Sequence, residues 1–231
     1  MRLYLDCKEA YEEIKRDLAE MGIEVKIKSM QDKNVEGMEE YNTKELQNYS
    51  YCLLNPDSNE IAKVLPVNKE WADAEFLERM DSSGNVNPGE AYKLRPDVWD
   101  EFLHDGKFSY TYNQRIWAND QFRDIIRGIK NDPGSRQLWL SIWNPLIDAE
   151  RIGREARVPC SLGYNFQVRE GKLNMHYVMR SSDFSTHWAN DVYLAVKLLE
   201  YIANLTNYPI GSFTHTMFSL HVYMKDIEGV F

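Results

Sequence analysis

At 231 residues, 43% of them hydrophobic, the chain can bury one substantial core, and no composition break divides it, so residues 1–231 are expected to form a single domain. Thirty-six acidic against 27 basic side chains give a net charge of −9, which excludes a broad basic face for duplex nucleic acid but leaves room for a small anion held by a few arginines. Three widely spaced cysteines without paired-ligand spacing indicate neither a disulfide framework nor a zinc site, and no apolar run forms a signal core or a membrane span.

In chain order, residues 9–21 place Ala10, Tyr11, Ile14, Leu18 and Met21 on one helical stripe, and Gly22 is expected to end that helix in the left-handed conformation. Residues 23–28 alternate like a strand. Residues 71–80 and 96–103 read as short helices, separated by Ser82-Ser83-Gly84-Asn85 and the break at Pro88-Gly89. A helix over 120–130 stops at Asp132-Pro133-Gly134, and 137–143 predicts a short buried strand. Residues 160–168 and 173–179 predict a hairpin around Arg169-Glu170-Gly171-Lys172, with Gly171 supplying positive φ. Residues 189–205 are apolar on nearly every side, which predicts a core helix, and 211–223 form a final strand. The composition and the early charged stretch lead to the expectation of a soluble protein of a reducing cytoplasm, without metal or membrane partner.

Chemistry concentrates around Cys160. A free cysteine is commonly a small buried hydrophobe, but Arg180 on the partner strand of the predicted hairpin offers the positive charge that a thiolate needs. Cys7 and Cys52 have no such setting. An arginine in a strand that otherwise reads as buried wants a bidentate anion, and phosphate fits. Taken singly, Glu75 reads equally well as a solvated helix residue, and His221 and Tyr223 as core residues.

Six segments lie in a shared order: Thr-Tyr-Asn-Gln-Arg-Ile-Trp around Tyr112, Asp132-Pro133-Gly134-Ser135-Arg136, Pro159-Cys160, Arg180-Ser181-Ser182-Asp183, Asn190-Asp191 and Ser219-Leu220-His221-Val222-Tyr223. With Glu75 they span about two thirds of the chain, and together they resemble the thymidylate synthase family, most closely the phage deoxycytidylate hydroxymethylases. The resemblance implies an α+β fold with a bent mixed β-sheet packed by helices. The outer face of that sheet, with Trp139 and Trp143, would pack against a second copy in an obligate homodimer. It also implies that Cys160 adds to C6 of a pyrimidine and turns C5 into a carbon nucleophile toward the one-carbon unit of 5,10-methylenetetrahydrofolate. Glu75 corresponds to the glutamate that organises water and moves protons. Arg180 and Ser181 would hold the 5′-phosphate of a nucleoside monophosphate, joined by Arg136 from the partner subunit. His221 and Tyr223 match the pair that binds the sugar 3′-hydroxyl, and Tyr112 and Asp183 match residues lining the pocket toward the folate.

The base turns on Asp191, eight residues after Asp183. The synthases carry asparagine there, whose amide donates to O4 of uracil and accepts from N3–H. An aspartate accepts from the amino group of cytosine and pairs with N3 when one proton is shared, which also withdraws electrons from C6. The expected substrate is therefore dCMP and the product 5-hydroxymethyl-dCMP, formed when water rather than hydride meets the exocyclic methylene. An alignment that puts Asn190 in that place would restore uracil. CMP hydroxymethylation, dUMP methylation or hydroxymethylation, and a non-catalytic nucleotide-binding dimer remain as alternatives. Phage DNA modification in a host cytoplasm is the setting the resemblance suggests. Departures from the family pattern are Ser161, His187, Gln137, Ser219 and a short segment after Tyr223; Lys33 is a candidate for the phosphate ligand near the N-terminus.

Overall fold

The computed structural model describes residues 1–154 and 156–231. The chain runs β1 (Arg2–Tyr4), α1 (Cys7–Met21), β2 (Ile23–Val25), β3 (Ser29–Met30), β4 (Lys33–Asn34), β5 (Thr43–Leu53), α2 (Ser58–Val64), α3 (Lys69–Arg79), α4 (Pro96–Trp99), α5 (Tyr112–Ile116) and α6 (Gln121–Asn131). It continues through β6 (Trp139–Ser141), α7 (Pro145–Asp148), β7 (Ser161–Arg169), β8 (Lys172–Asp183), α8 (Trp188–Thr206), β9 (Ile210–Tyr223) and α9 (Ile227–Val230). Seven strands form one sheet in the order β1-β5-β9-β8-β7-β6, with β2 added along β5, while β3 and β4 make a separate ribbon. The sheet is mixed, because β1 runs parallel to β5 and β8 parallel to β9 while the other pairs are antiparallel.

Local chemistry explains the elements that place the site. Arg169 pairs with Lys172 across a two-residue loop in which Glu170 (φ 53°) and Gly171 (φ 73°) are both left-handed, a turn whose twist matches the flanking strands. Helix α8 is buried over Trp188, Val192, Val196, Leu199 and Ile202, so it lies in the core as its apolar surface requires. It is tied to α3 by Asn190, whose side-chain oxygen accepts from the Asn68 backbone N–H at 2.9 Å. No helix among the described residues is long and apolar enough to cross a membrane.

Several sequence expectations need correction. Helix α1 starts two residues early because Asp6 caps it, accepting from the Glu9 N–H at 2.9 Å. Gly22 is extended (φ −62°), not left-handed; glycine suits the site because a Cβ there would lie 2.5 Å from the Leu18 carbonyl oxygen. The strand at 137–143 shrinks to β6 on the sheet edge; Leu138, Leu140 and Ile142 are buried as expected, while Trp139 is 42% exposed. Strand β5 has no clear alternation because Asn48 (φ 53°) interrupts it, yet it pairs with β9 from Thr43–Tyr223 to Leu53–Phe213.

Candidate active site

One end of the sheet gathers the chemistry. Cys160 precedes β7, Arg180 to Asp183 finish β8, and His221 to Tyr223 finish β9. Parallel pairing of β8 and β9 sets Asp183 opposite His221. Glu75 comes from α3, Tyr112 opens α5 under a Thr111–Gln114 capping box, and Asp191 lies in the first turn of α8. A cavity of about 340 Å³ is lined by Cys160, Glu75, Asp191, Ser181, Asp183, Tyr112, His221 and Tyr223. Eight of the ten residues singled out from sequence therefore share one space.

Cys160 differs from the other two thiols. Cys7 is buried, and that burial pushes its thiol up to about 12; Cys52 is buried as well. Cys160 is half-buried, with the Arg180 Nη2 3.6 Å and the Gln31 Nε2 3.5 Å from its sulfur. The same guanidinium donates from Nε to the Pro159 carbonyl at 2.9 Å and from Nη2 to the Val158 carbonyl at 3.2 Å. Arg180 thus clamps the loop that carries the thiol and brings a positive charge to it. Gln31, left-handed at φ 56°, reaches the sulfur from the β3–β4 turn, and its Oε1 is buried without a protein partner. Lys33, the residue suggested from sequence, instead pairs with Glu101.

Behind Cys160, Ser161 is fully buried and its hydroxyl joins those of Tyr112 (2.9 Å) and Tyr177. Ser219 donates to the Glu45 carboxylate at 2.5 Å and lies 3.2 Å from His221 Nδ1, so a carboxylate from β5 reaches the histidine through a serine. Burial lowers the affinity of His221 for a proton, against the pull of Asp183 and Glu45. Asp183 accepts from both the backbone N–H and the hydroxyl of Ser185, at 3.0 and 2.7 Å.

The two candidate base readers separate cleanly. Asn190 turns its side chain to Asn68 and Thr186, away from the cavity, whereas Asp191 lines it. Burial pushes the Asp191 carboxyl up to about 7, with Arg79 and Arg95 drawing it down and Asp183 and Glu75 raising it. The carboxyl is therefore poised to exchange a proton near neutrality. Arg136 is exposed in the segment after α6, outside the lining of its own chain's cavity.

Three groups on the cavity wall were not singled out as site residues. Gln31 is one, and its contact with Cys160 spans 129 residues of sequence, so no local signal could reveal it. Arg79 is another, visible in principle as the i+4 partner of Glu75. The third is Arg157, whose guanidinium sits 4.7 Å from the Phe102 ring centroid and 5.0 Å from that of Trp99, with Tyr110 and Phe108 beyond. Trp99 stacks on Trp71 at 6.2 Å and borders His187 at 5.8 Å, giving the cavity a broad aromatic wall. Among the described residues no group of three or more His, Cys, Asp or Glu side chains is arranged to hold a metal ion.

The fold is the thymidylate synthase-like α+β fold: the thermostable thymidylate synthase A from Bacillus subtilis superposes with a TM-score of 0.76 at 20% identity, over 97% of this chain and 82% of that one. The family model for thymidylate synthase matches residues 69–231, and the chain belongs to the thymidylate synthase family. A thymidylate synthase from Mycoplasma mobile is 29% identical over 165 residues, covering 70% of this chain and 55% of that protein. A putative thymidylate synthase from Methanosarcina acetivorans is 33% identical over 127 residues, covering 53% and 57%. Another, from Methanocaldococcus jannaschii, is 29% identical over 198 residues, covering 74% and 89%. The chain thus spans little more than half the length of the first two relatives.

Proposed function

We propose that the chain is a folate-dependent one-carbon transferase acting on C5 of a pyrimidine nucleotide, and specifically a dCMP 5-hydroxymethylase working as a single catalytic domain over residues 1–231. The observation that carries the specific reading is Asp191 on the cavity wall, with Asn190 turned away. Cytosine presents an acceptor at N3 and a donor at its amino group. A carboxyl sharing one proton with N3 meets both, and a proton near N3 draws electrons from C6, where the thiolate adds.

In this reading the Cys160 thiolate adds to C6 and later leaves it, restoring the aromatic ring. Arg180 and Ser181 take the 5′-phosphate, with Arg136 of a second copy completing that site in a homodimer. His221 and Tyr223 hold the sugar hydroxyl. The aromatic wall of Trp71 and Trp99 suits a flat pteridine, and methylenetetrahydrofolate bound there, on the side of Tyr112 and Asp183, supplies the one-carbon unit. C5 would take the one-carbon unit as tetrahydrofolate departs with the C–N electron pair and C5 gives up its proton; water, its proton accepted by Glu75, would then add to the methylene on C5, and expulsion of the Cys160 thiolate from C6 would leave a hydroxymethyl group on the restored ring. A cytoplasmic enzyme of nucleotide metabolism fits these substrates, and supply of a modified nucleotide for phage DNA fits the product.

The second reading is thymidylate synthesis from dUMP, favoured by the names of the relatives. Asp191→Asn separates the two. The proposal expects the ratio of kcat/KM for dCMP over dUMP to fall by about tenfold or more, since an amide cannot share the required proton. An unchanged ratio would show that Asp191 does not read the base.

A further inference from the structure

Arg79 has no part in the roles above, yet its charge is enclosed on the cavity wall, with the residue 8% exposed. Its Nε donates to Glu75 Oε1 at 2.8 Å, and its guanidinium carbon lies 4.0 Å from the centroid of the Tyr112 ring. The last turn of α3 is fixed in turn by the Trp117 indole N–H, which donates to the Arg79 carbonyl at 3.0 Å. An arginine so held cannot swing away to solvent, and a carboxylate paired with it stays in one place.

The charges facing Asp191 make this pairing consequential. Glu75 and Arg79 approach from α3, Arg95 from the segment after it, and Asp183 from the end of β8. The buried hydroxyls of Tyr112, Tyr164 and Tyr177 also feel the charge of Asp191, and the His187 carbonyl receives the Asp191 backbone N–H at 2.9 Å. Glu75, Asp183 and Asp191 share the cavity wall with Arg79, while Arg95 acts from outside that lining, and Arg79 is the stronger of the two cationic influences on Asp191.

We infer that Arg79 is a positioning and specificity-determining residue, holding the Glu75 carboxylate in place as a proton acceptor while balancing the charge beside Asp191 so that it can share one proton with a cytosine ring. The inference rests on the reading of Asp191 and Glu75 given under the proposed function. Burial works against the charge of Arg79, but the carboxylate of Glu75 and the Tyr164 and Tyr112 hydroxyls hold its guanidinium above the ordinary range. The cation is therefore permanent, as a fixed counter-charge must be.

The test is a carbon-13 NMR titration of the aspartate carboxyls, with the Asp191 signal assigned by its loss in Asp191→Asn, alongside steady-state kinetics. Arg79→Met keeps the volume and removes the charge. It should raise the Asp191 midpoint by about one pH unit or more and lower kcat about tenfold or more, with KM changed less than about threefold. A midpoint that stays at the wild-type value overturns the inference. Should Arg79→Met fail to fold, Arg79→Lys decides: the charge remains but the planar fork is lost, so the midpoint should hold while kcat falls about threefold or more. A wild-type kcat in Arg79→Lys would show that Glu75 needs no such partner. The titration requires no turnover. A methylated dUMP product from the wild type would therefore sink the functional reading while leaving the charge balance standing, and an unmoved midpoint with hydroxymethylated dCMP would sink this inference alone.

Discussion

The proposed reaction asks of Cys160 a nearby cation and an open approach for the nucleotide; its sulfur is half-buried, with the Arg180 guanidinium at 3.6 Å and the Gln31 amide at 3.5 Å. Cys160→Ser should abolish turnover while nucleotide affinity, read by calorimetry, stays within about threefold of wild type; retained turnover would remove the covalent step. Asp191 gives a pH prediction. Its carboxyl, raised to about 7, carries the proton needed for cytosine below that value and loses it above. The affinity for dCMP should therefore fall progressively between about pH 7 and about pH 9, and Asp191→Asn should flatten that fall; an identical pH dependence in both proteins would contradict it. Cys160, Arg180 and Asp191 could be picked out in sequence because short motifs flank them. Gln31 and the aromatic surround of Arg157 could not, since they depend on segments far apart in the chain.

Elements with one strong periodic signal were legible in the sequence: the β7–β8 hairpin, α8 and β9 all stand where their residues predict. Strand β5 was hidden by polar residues and by the left-handed Asn48, although it supplies Glu45 to the His221 side of the cavity. At β6 the apolar run buries Leu138, Leu140 and Ile142 as its residues predict, but the strand is shorter and lies at the sheet edge, where Trp139 is exposed. Gly163 shows what holds that edge. A Cβ there would stand 2.5 Å from both the Leu140 carbonyl oxygen and the Trp139 ring, next to the bulge between Ser161 and Gly163. Gly163→Ala should lower stability by about 1–3 kcal/mol in a thermal or urea melt, because a backbone oxygen cannot move aside. A wild-type melt would mean that β6 is free to drift.

At the scale of the whole molecule, the exposed Arg136 and the apolar Trp139 at the sheet edge are the features that a second copy would explain. If Arg136 serves the partner's phosphate site, Arg136→Ala and Cys160→Ser should each be inactive alone and regain turnover when mixed under subunit exchange, since the mixed dimer contains one intact site. No recovery, with exchange verified by native mass spectrometry, would place Arg136 outside the site. The fold follows from a superposition over 97% of the chain and the family from the match over residues 69–231, while the proposed choice of base depends on one carboxyl in one cavity. The most direct test is to incubate the protein with methylenetetrahydrofolate and each of dCMP, CMP and dUMP, then measure the mass of the nucleotide product. A hydroxymethyl group added to dCMP is the predicted result; a methyl group added to dUMP, or no product from any of the three, would contradict the account.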